Sequence, residues 1–461
     1  MEALTLRQLI DAVGGTLVGD FQDLDAVFTD VCTDSRNLTA GCLFLPLQGE
    51  RFDGHGFINS ALEGGAVGCI TARDRDNYLP GKFYVKVRST HRALRDLARF
   101  YKEQFSIPFI AVTGSVGKTT TKDMVAAALG SRFNVLKTEG NFNNDIGLPL
   151  TILRLDRTHE ICVLEMGMDH AGEIDYLSEL VEPDVALITN IGDAHIENLG
   201  SREAIFKAKC EVFAHLKKDG LAVLCGDDEL LVTLKDKLEQ KTVFVGGNEG
   251  LDYYAYDLQN EENHLKCMVR TPIGQFGANI PALGNHMIYP TLMAAAVAEH
   301  FGMAHDEIAQ GIRAFLPTKM RMNLIRCPGD IVILNDAYNA NPQSMRAAAA
   351  VLGDAKDRRR VAVVGDMKEL GANSQMFHKA VGGFFAQSGI HRLIAIGDLA
   401  RYIAQGAQEA GLDNAVYYPT MEEAKDCLLR ELRAGVTILV KASRSMAFEK
   451  IVEFLQENIG D

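Results

Sequence analysis

The chain has 461 residues, 47% apolar and 23% charged, the balance of a soluble globular protein with room for about three domains at roughly 150 residues each. Its 61 Asp and Glu against 47 Lys and Arg leave a net charge of -14. That argues against nucleic acid or an anionic membrane surface as the main partner, because both are held by basic patches, and any phosphate site must be built locally. Nine cysteines without a Cys-x-x-Cys pair support neither a zinc ribbon nor a disulfide framework and point to reduced cytosolic thiols.

The opening MEALTLRQLIDAVGG has no basic stretch before an apolar run, so no signal peptide is expected. It reads as an amphipathic helix carrying Leu4, Leu6, Leu9, Ile10 and Val13. No apolar run reaches membrane-spanning length. Short strands are predicted at Cys42–Leu47, Val67–Thr71 and Phe83–Val87, then a helix over His91–Gln104. Ile107–Thr113 reads as an apolar strand ending in a Gly-rich turn, with a helix from Lys118. Ile161–Glu165 and Val185–Asn190 follow as buried strands, the pattern of a parallel sheet covered on both faces. The pattern changes near Leu316-Pro317. Beyond it Ile331–Asn335, Arg360–Gly365, Arg392–Gly397 and Val436–Lys441 alternate with helical stretches as a second, doubly wound unit.

The expected class is therefore α/β in three domains. Residues 1–88 form a small substrate domain, 89–316 a central P-loop parallel-sheet domain, and 317–461 a Rossmann-like domain.

Three groups of residues carry chemistry. Gly114-Ser115-Val116-Gly117-Lys118-Thr119-Thr120 sits between a strand and a helix, where curled backbone N–H groups and the helix N-terminus attract phosphate. Lys118 would reach the β- and γ-phosphates and the Thr119 hydroxyl a magnesium ion. The full pattern asks for glycine at position 112, where Val112 stands; the competing reading is a Gly-rich turn with a solvated lysine, and the strand before and helix after favour nucleotide. Glu165 ends an apolar strand, where a carboxylate is costly unless paired or on a metal. His195 lies just past the next strand, at the sheet end where ligands bind, although a lone histidine is more often structural. Lys207 and Lys209 lie on a predicted helix and by composition are a solvated face.

Taken together, the loop 113–120, Glu165, Gly192-Asp193-Ala194-His195 and Ala208-Lys209 resemble the Mur ligase family of ATP-dependent amide-forming enzymes. Within it the strings Gly140–Pro149, Asn335–Met345, Gly365–Gly371 and Val440–Met446, above all Tyr338-Asn339-Ala340-Asn341-Pro342, match the member that adds D-alanyl-D-alanine. The resemblance implies that UDP-N-acetylmuramoyl-tripeptide, D-alanyl-D-alanine and ATP are the partners, with two Mg2+ ions held by Thr119, Glu165, His195 and Lys209. Lys118, Lys209 and His195 are the implied catalytic residues, and Lys209 would be carbamylated, turning an ammonium into an anionic oxygen ligand. Arg321 and Asp336 would reach ATP from the third domain. Asp34, Ser35, Arg36, Asp53 and His55 would hold the UDP-sugar, and Asn141, Asn143 and Asn144 are further implied substrate-binding residues. Tyr338, Asn339, Asn341 and Ser344 would meet the dipeptide, as would Lys441 and Arg444. One segment departs from the family pattern. Gly284-Asn285-His286-Met287-Ile288-Tyr289-Pro290 has Met287 and Pro290 where asparagines usually approach adenine, leaving Asn285 as the expected contact. A cytoplasmic monomer is implied. The competing functions are another superfamily ligase of folylpolyglutamate or cyanophycin type, and a non-catalytic nucleotide-binding protein.

Overall fold

A computed structural model describes residues 1–49 and 52–460, packed as two compact units. The first comprises Met1–Ala111, Phe133–Met168 and Glu173–Asp184. Its N-terminal helix begins later than the apolar spacing suggested. Leu4–Thr5 is a short strand paired with Val27–Phe28, and the helix runs Leu6–Val13. The reason is a capping box: Thr5 Oγ1 accepts the Gln8 N–H and Gln8 Oε1 accepts the Thr5 N–H. Strands Thr16–Val18, Phe83–Lys86, Gly68–Thr71, Cys42–Phe44 and Asp30–Cys32 form a sheet in that order, parallel except for the first pair. Phe44, Ile58, Leu62 and Tyr84 fill its core. Ser89 caps the helix Thr90–Lys102 by accepting the Arg92 N–H. The strand Phe109–Thr113 begins in this unit, where Pro108 O accepts the Cys162 N–H of Ile161–Glu165; that strand pairs in parallel with Val135–Lys137.

The second unit comprises Val112–Arg132, Asp169–Gly172 and Val185–Asp461. Strands Val185–Ile188, Leu221–Cys225, Lys241–Gly246 and Tyr253–Asn260 are parallel neighbours. The sheet then continues antiparallel through Leu265–Thr271 and Gly274–Ile280, an antiparallel extension of the expected parallel sheet. In these last strands alternate residues are buried, the signature of one covered face. Helix Lys118–Leu129 packs against Ile288–His300 and His305–Arg313, the latter so closely that a Cβ on Gly311 would lie 2.5 Å from Ala127 O.

The rest of this unit is a six-stranded sheet in the order Asn323–Cys327, Ile331–Asn335, Val436–Lys441, Arg359–Gly365, Arg392–Ile396, Ala415–Tyr418. All pairs but the first are parallel. Helices cover both faces, with Met345, Leu352, Val381 and Phe385 on one side and Leu428, Ile451 and Leu455 on the other. The last strand in the chain, Val436–Lys441, lies between Ile331–Asn335 and Arg359–Gly365, which sets the carboxyl ends carrying Asp336, Lys441 and Asp366 side by side. All nine cysteines are free thiols, and among the described residues no helix is long and apolar enough to cross a membrane.

Candidate functional site

The turn after Thr113 is shaped by two glycines in the left-handed half of backbone space, Gly114 (φ 143°) and Gly117 (φ 84°). At Gly114 the requirement is doubled, because a Cβ there would sit 1.9 Å from Thr189 Oγ1. The neighbouring strand end clamps the loop. Asn190 accepts the Ser115 N–H with its carbonyl and the Val116 N–H with Oδ1, both at 3.0 Å, and its Nδ2 donates back to Val116 O at 2.9 Å. Thr189 Oγ1 donates to Val116 O at 2.7 Å, and Gly192 N–H to Ser115 Oγ at 2.8 Å. Lys118 Nζ curls back to Gly114 O at 2.8 Å. Helix Lys118–Leu129 then starts with its first-turn N–H groups, Lys118 to Thr120, facing out of the loop. Loop, lysine and helix dipole together make a rigid anion cradle.

Residues from beyond position 316 in the same unit reach this cradle. Arg321 Nη2 donates to Thr119 Oγ1 at 3.2 Å, and its guanidinium lies 4.0 Å over the Tyr338 ring. Asp336 accepts the Met322 N–H on Oδ1 and holds Lys441 Nζ on Oδ2 at 2.5 Å. Lys441 also donates to Asn339 O at 2.9 Å. Burial pushes the Lys441 pKa down, opposed by Asp336. Asn341 and Ser344 engage each other: Asn341 Oδ1 accepts the Ser344 N–H as the cap of helix Pro342–Asp354, and Ser344 Oγ accepts the Asn341 N–H. That leaves the Asn341 Nδ2 donor for a ligand. In the departing segment Asn285 is exposed and takes an Asn260 Nδ2 hydrogen bond at 2.8 Å, whereas Met287 is buried. Burial lowers the His286 pKa, aided by Lys441 and opposed by Asp336.

Helix Arg202–Cys210 separates its two lysines. Lys207 is exposed, as composition suggested, but Lys209 is only 1% exposed, which corrects the solvated-face reading for that residue. Burial first, then the charge of Lys118, drive its pKa well below that of a free lysine, and no acidic neighbour offsets them. His195 follows strand Val185–Ile188 in a left-handed conformation (φ 64°). Its Nδ1 lies 3.1 Å from Asp169 Oδ1 and 2.9 Å from Glu369 Oε2, so that the ligand atoms of the three residues converge. Asp169 and Glu369 carried no spacing signal, because their meeting with His195 is purely tertiary.

In the first unit Glu165 is 3% exposed. Its N–H donates to Thr138 Oγ1 at 3.0 Å, its Oε1 accepts Asn143 Nδ2 at 2.9 Å, and its buried Oε2 has no hydrogen-bond partner. Asn144 Oδ1 accepts the Gly147 N–H at the start of the helix Gly147–Ile152, and Asn141 is exposed. Farther along the unit Asp34 and Arg36 form a bidentate pair that holds the Asp34 pKa at about 2, with Ser35 between them. Asp53 accepts both the N–H and Nδ1–H of His55 and pairs with Arg73; His55 Nε2 accepts the Ala72 N–H. His55 therefore has both ring nitrogens occupied, which leaves Asp53 and Arg73 as the polar groups of that corner facing solvent.

A hard divalent cation takes oxygen ligands, and the Glu165 carboxylate is a donor of that kind. The orphaned Oε2 of Glu165 is the particular observation that fits magnesium, since a buried carboxylate oxygen is stable only with a partner.

Three family models match successive stretches of the chain. They are the Mur ligase family catalytic domain over 27–102, the Mur ligase middle domain over 112–298, and the Mur ligase glutamate ligase domain over 320–444. The UDP-N-acetylmuramoyl-tripeptide–D-alanyl-D-alanine ligase of Bacillus subtilis (strain 168) is 39% identical over 98% of each chain. MurF from Acinetobacter baumannii superposes with a TM-score of 0.92 at 32% identity over 99% of each chain. MurF ligase from Thermotoga maritima in complex with ADP superposes with a TM-score of 0.83 at 29% identity, over 93% of this chain and 97% of that one.

Proposed function

The chain belongs to the Mur ligase family, and from that premise we propose that it joins D-alanyl-D-alanine to UDP-N-acetylmuramoyl-tripeptide at the expense of ATP. The terminal carboxylate of the tripeptide attacks the γ-phosphorus of ATP, the β–γ bond breaks, and ADP and an acyl phosphate form. The dipeptide amine, its proton lost, then attacks the acyl carbon, and inorganic phosphate leaves as the amide forms.

The observation that carries this reading is the cradle itself: a phosphate loop clamped by Asn190, with Arg321 already on the Thr119 hydroxyl. Lys118, the loop N–H groups and Arg321 hold the phosphates and neutralise charge on the transferring group, the main catalytic task in phosphoryl transfer. Thr119, Glu165, His195 and Lys209 would hold the magnesium ions, which when bound neutralise phosphate charge. Lys209 is suited to carbamylation because burial favours its neutral amine, the form that adds CO2 and releases a proton. Asn285 and Asp336 serve the nucleotide. Asp34, Ser35, Arg36, Asp53 and His55 serve the UDP-sugar, Asn141, Asn143 and Asn144 bind substrate, and Tyr338, Asn339, Asn341 and Ser344 serve the dipeptide. The labour divides at about residues 88 and 316, and the enzyme works as a cytoplasmic monomer.

The test is phosphate release from ATP and magnesium, with and without D-alanyl-D-alanine, across several UDP-muramoyl peptides. Release that needs both the dipeptide and a tripeptide acceptor is the expected result. Acceptor-independent binding of ATP without release would assign the site to another substrate or to binding alone.

A further inference from the structure

Helix Lys118–Leu129 carries a second buried group that phosphate binding leaves unused. Asp123 is one turn past Thr119 on the same helix face, 5% exposed, and next to Lys122, which is 2% exposed. Lys122 Nζ takes Asp123 Oδ1 at 3.1 Å, which turns Oδ2 toward the segment 317–322. There the Thr318 hydroxyl donates to it. That segment crosses from the central part of the chain to the last sheet. It is held at a second point one helical turn away, where Arg321 meets Thr119.

The crossing is conformationally tense. Met320 (φ 59°) and Met322 (φ 53°) are both left-handed, a conformation unbranched non-glycine residues keep only when their surroundings enforce it. The enforcing contacts are the Arg321 N–H on Thr318 O, the Tyr338 N–H on Met320 O at 3.2 Å, and the Met322 N–H on Asp336. Asp336 in turn holds Lys441. A continuous set of bonds thus runs from Asp123 through Thr318, Arg321 and Met322 to the Asp336–Lys441 pair.

We propose that Asp123 is a positioning residue for the ligation reaction: it pins Thr318, and through it the 317–322 crossing, so that Arg321 and the Asp336–Lys441 pair are aimed at a nucleotide on the phosphate loop. The inference rests on the reading of the site as a ligase, but the pin is readable without turnover. Lys319 is exposed beside Thr318, so tryptic cleavage after it reports whether the crossing is held.

The decisive variant is Thr318→Val, which keeps the shape and removes the hydroxyl, with Thr318→Ser as the restoring control. In Thr318→Val we expect kcat to fall about tenfold with KM for ATP changed less than about threefold, since misaimed groups slow chemistry more than binding. Tryptic cleavage after Lys319 accelerates in parallel, with and without ADP and magnesium, and Thr318→Ser behaves as wild type in both assays. Wild-type values of kcat and cleavage in Thr318→Val overturn the proposal, as does a Thr318→Ser protein as impaired as the valine variant. Should the unaltered chain bind ADP but form no amide, accelerated cleavage in Thr318→Val sustains the pin while the ligase reading falls. Unaltered cleavage removes the pin as well.

Discussion

Asn143 holds Glu165 by one oxygen only: its Nδ2 donates at 2.9 Å to Oε1, while the buried Oε2 has no hydrogen-bond partner. Leaving a buried carboxylate oxygen unpaired costs about 1–3 kcal/mol, more for the charged form, so the arrangement opposes folding without a cation. Glu165→Gln keeps the acceptor for Asn143 and replaces the charge by an amide that is less costly to bury. The variant is expected to melt at or above the wild-type temperature in metal-free buffer. Its magnesium-saturated turnover should fall on the order of a hundredfold, the loss of one charge-stabilising contact. Calorimetry beside a magnesium titration of activity decides it; wild-type turnover at saturating magnesium would remove Glu165 from the metal set.

Two substitutions in the phosphate loop separate charge from shape. Lys118→Ala removes the side chain that returns to Gly114 O without crowding the turn. Turnover should fall on the order of a thousandfold or more, as for other groups that neutralise a transferring phosphoryl, with the melting temperature nearly unmoved. Gly114→Ala drives a methyl onto Thr189 Oγ1 in a backbone conformation alanine resists, so ADP affinity and stability should fall together. Equal stability loss in both variants would mean that Lys118 is mainly structural.

Strands buried on both faces were the most legible part of this chain. Ile161–Glu165, Ile331–Asn335 and Val436–Lys441 are continuous apolar runs, and their observed bounds coincide with those read from residues alone. The strands between Tyr253 and Ile280 were not, because they bury one face only and mix polar and apolar residues without a continuous apolar run of strand length. The phosphate loop was readable since its chemistry is local. Glu369 beside His195 and Thr318 on Asp123 were not, since their partners lie far along the chain and only the fold unites them.

Lys207 and Lys209 make the same point within three residues and supply a test. Lys207 is exposed and Lys209 is buried, so Lys207→Ala should be silent while Lys209→Ala loses activity on the order of a hundredfold. Lys209→Arg should not restore it, because a guanidinium stays protonated and cannot add CO2. Stripping bicarbonate from the buffer should lower wild-type activity and returning it should restore it. A carbamate carbon resonance after labelling with 13C-bicarbonate, absent from Lys209→Ala, is the direct observation. Activity indifferent to bicarbonate, with no such resonance, would leave Lys209 as an unmodified lysine.

His378 supplies a pH-dependent term in stability. It is fully buried, accepts the Met367 N–H on Nε2 at 2.9 Å, and lies 2.7 Å from Ser374 O through Nδ1, which fixes the tautomer with its proton on Nδ1. Protonating Nε2 would set a second donor against the Met367 N–H. Burial, aided by Lys368, lowers the pKa below 6.5, against the opposing pull of Ser374 and Asp366. Below pH 6.5 the unfolded chain therefore binds a proton that the native state refuses, and stability falls as pH falls. The slope from this residue is at most about 1.4 kcal/mol per pH unit, ending at the depressed native pKa. Gln in its place keeps an acceptor near the Nε2 position and does not titrate. His378→Gln should be less stable near neutrality yet lose less stability between pH 6.5 and about pH 5, the range in which histidines change charge. Urea unfolding of both proteins across that range measures the difference directly. Other histidines titrate alike in both, so parallel stability curves would show that His378 is not the source of the acid sensitivity.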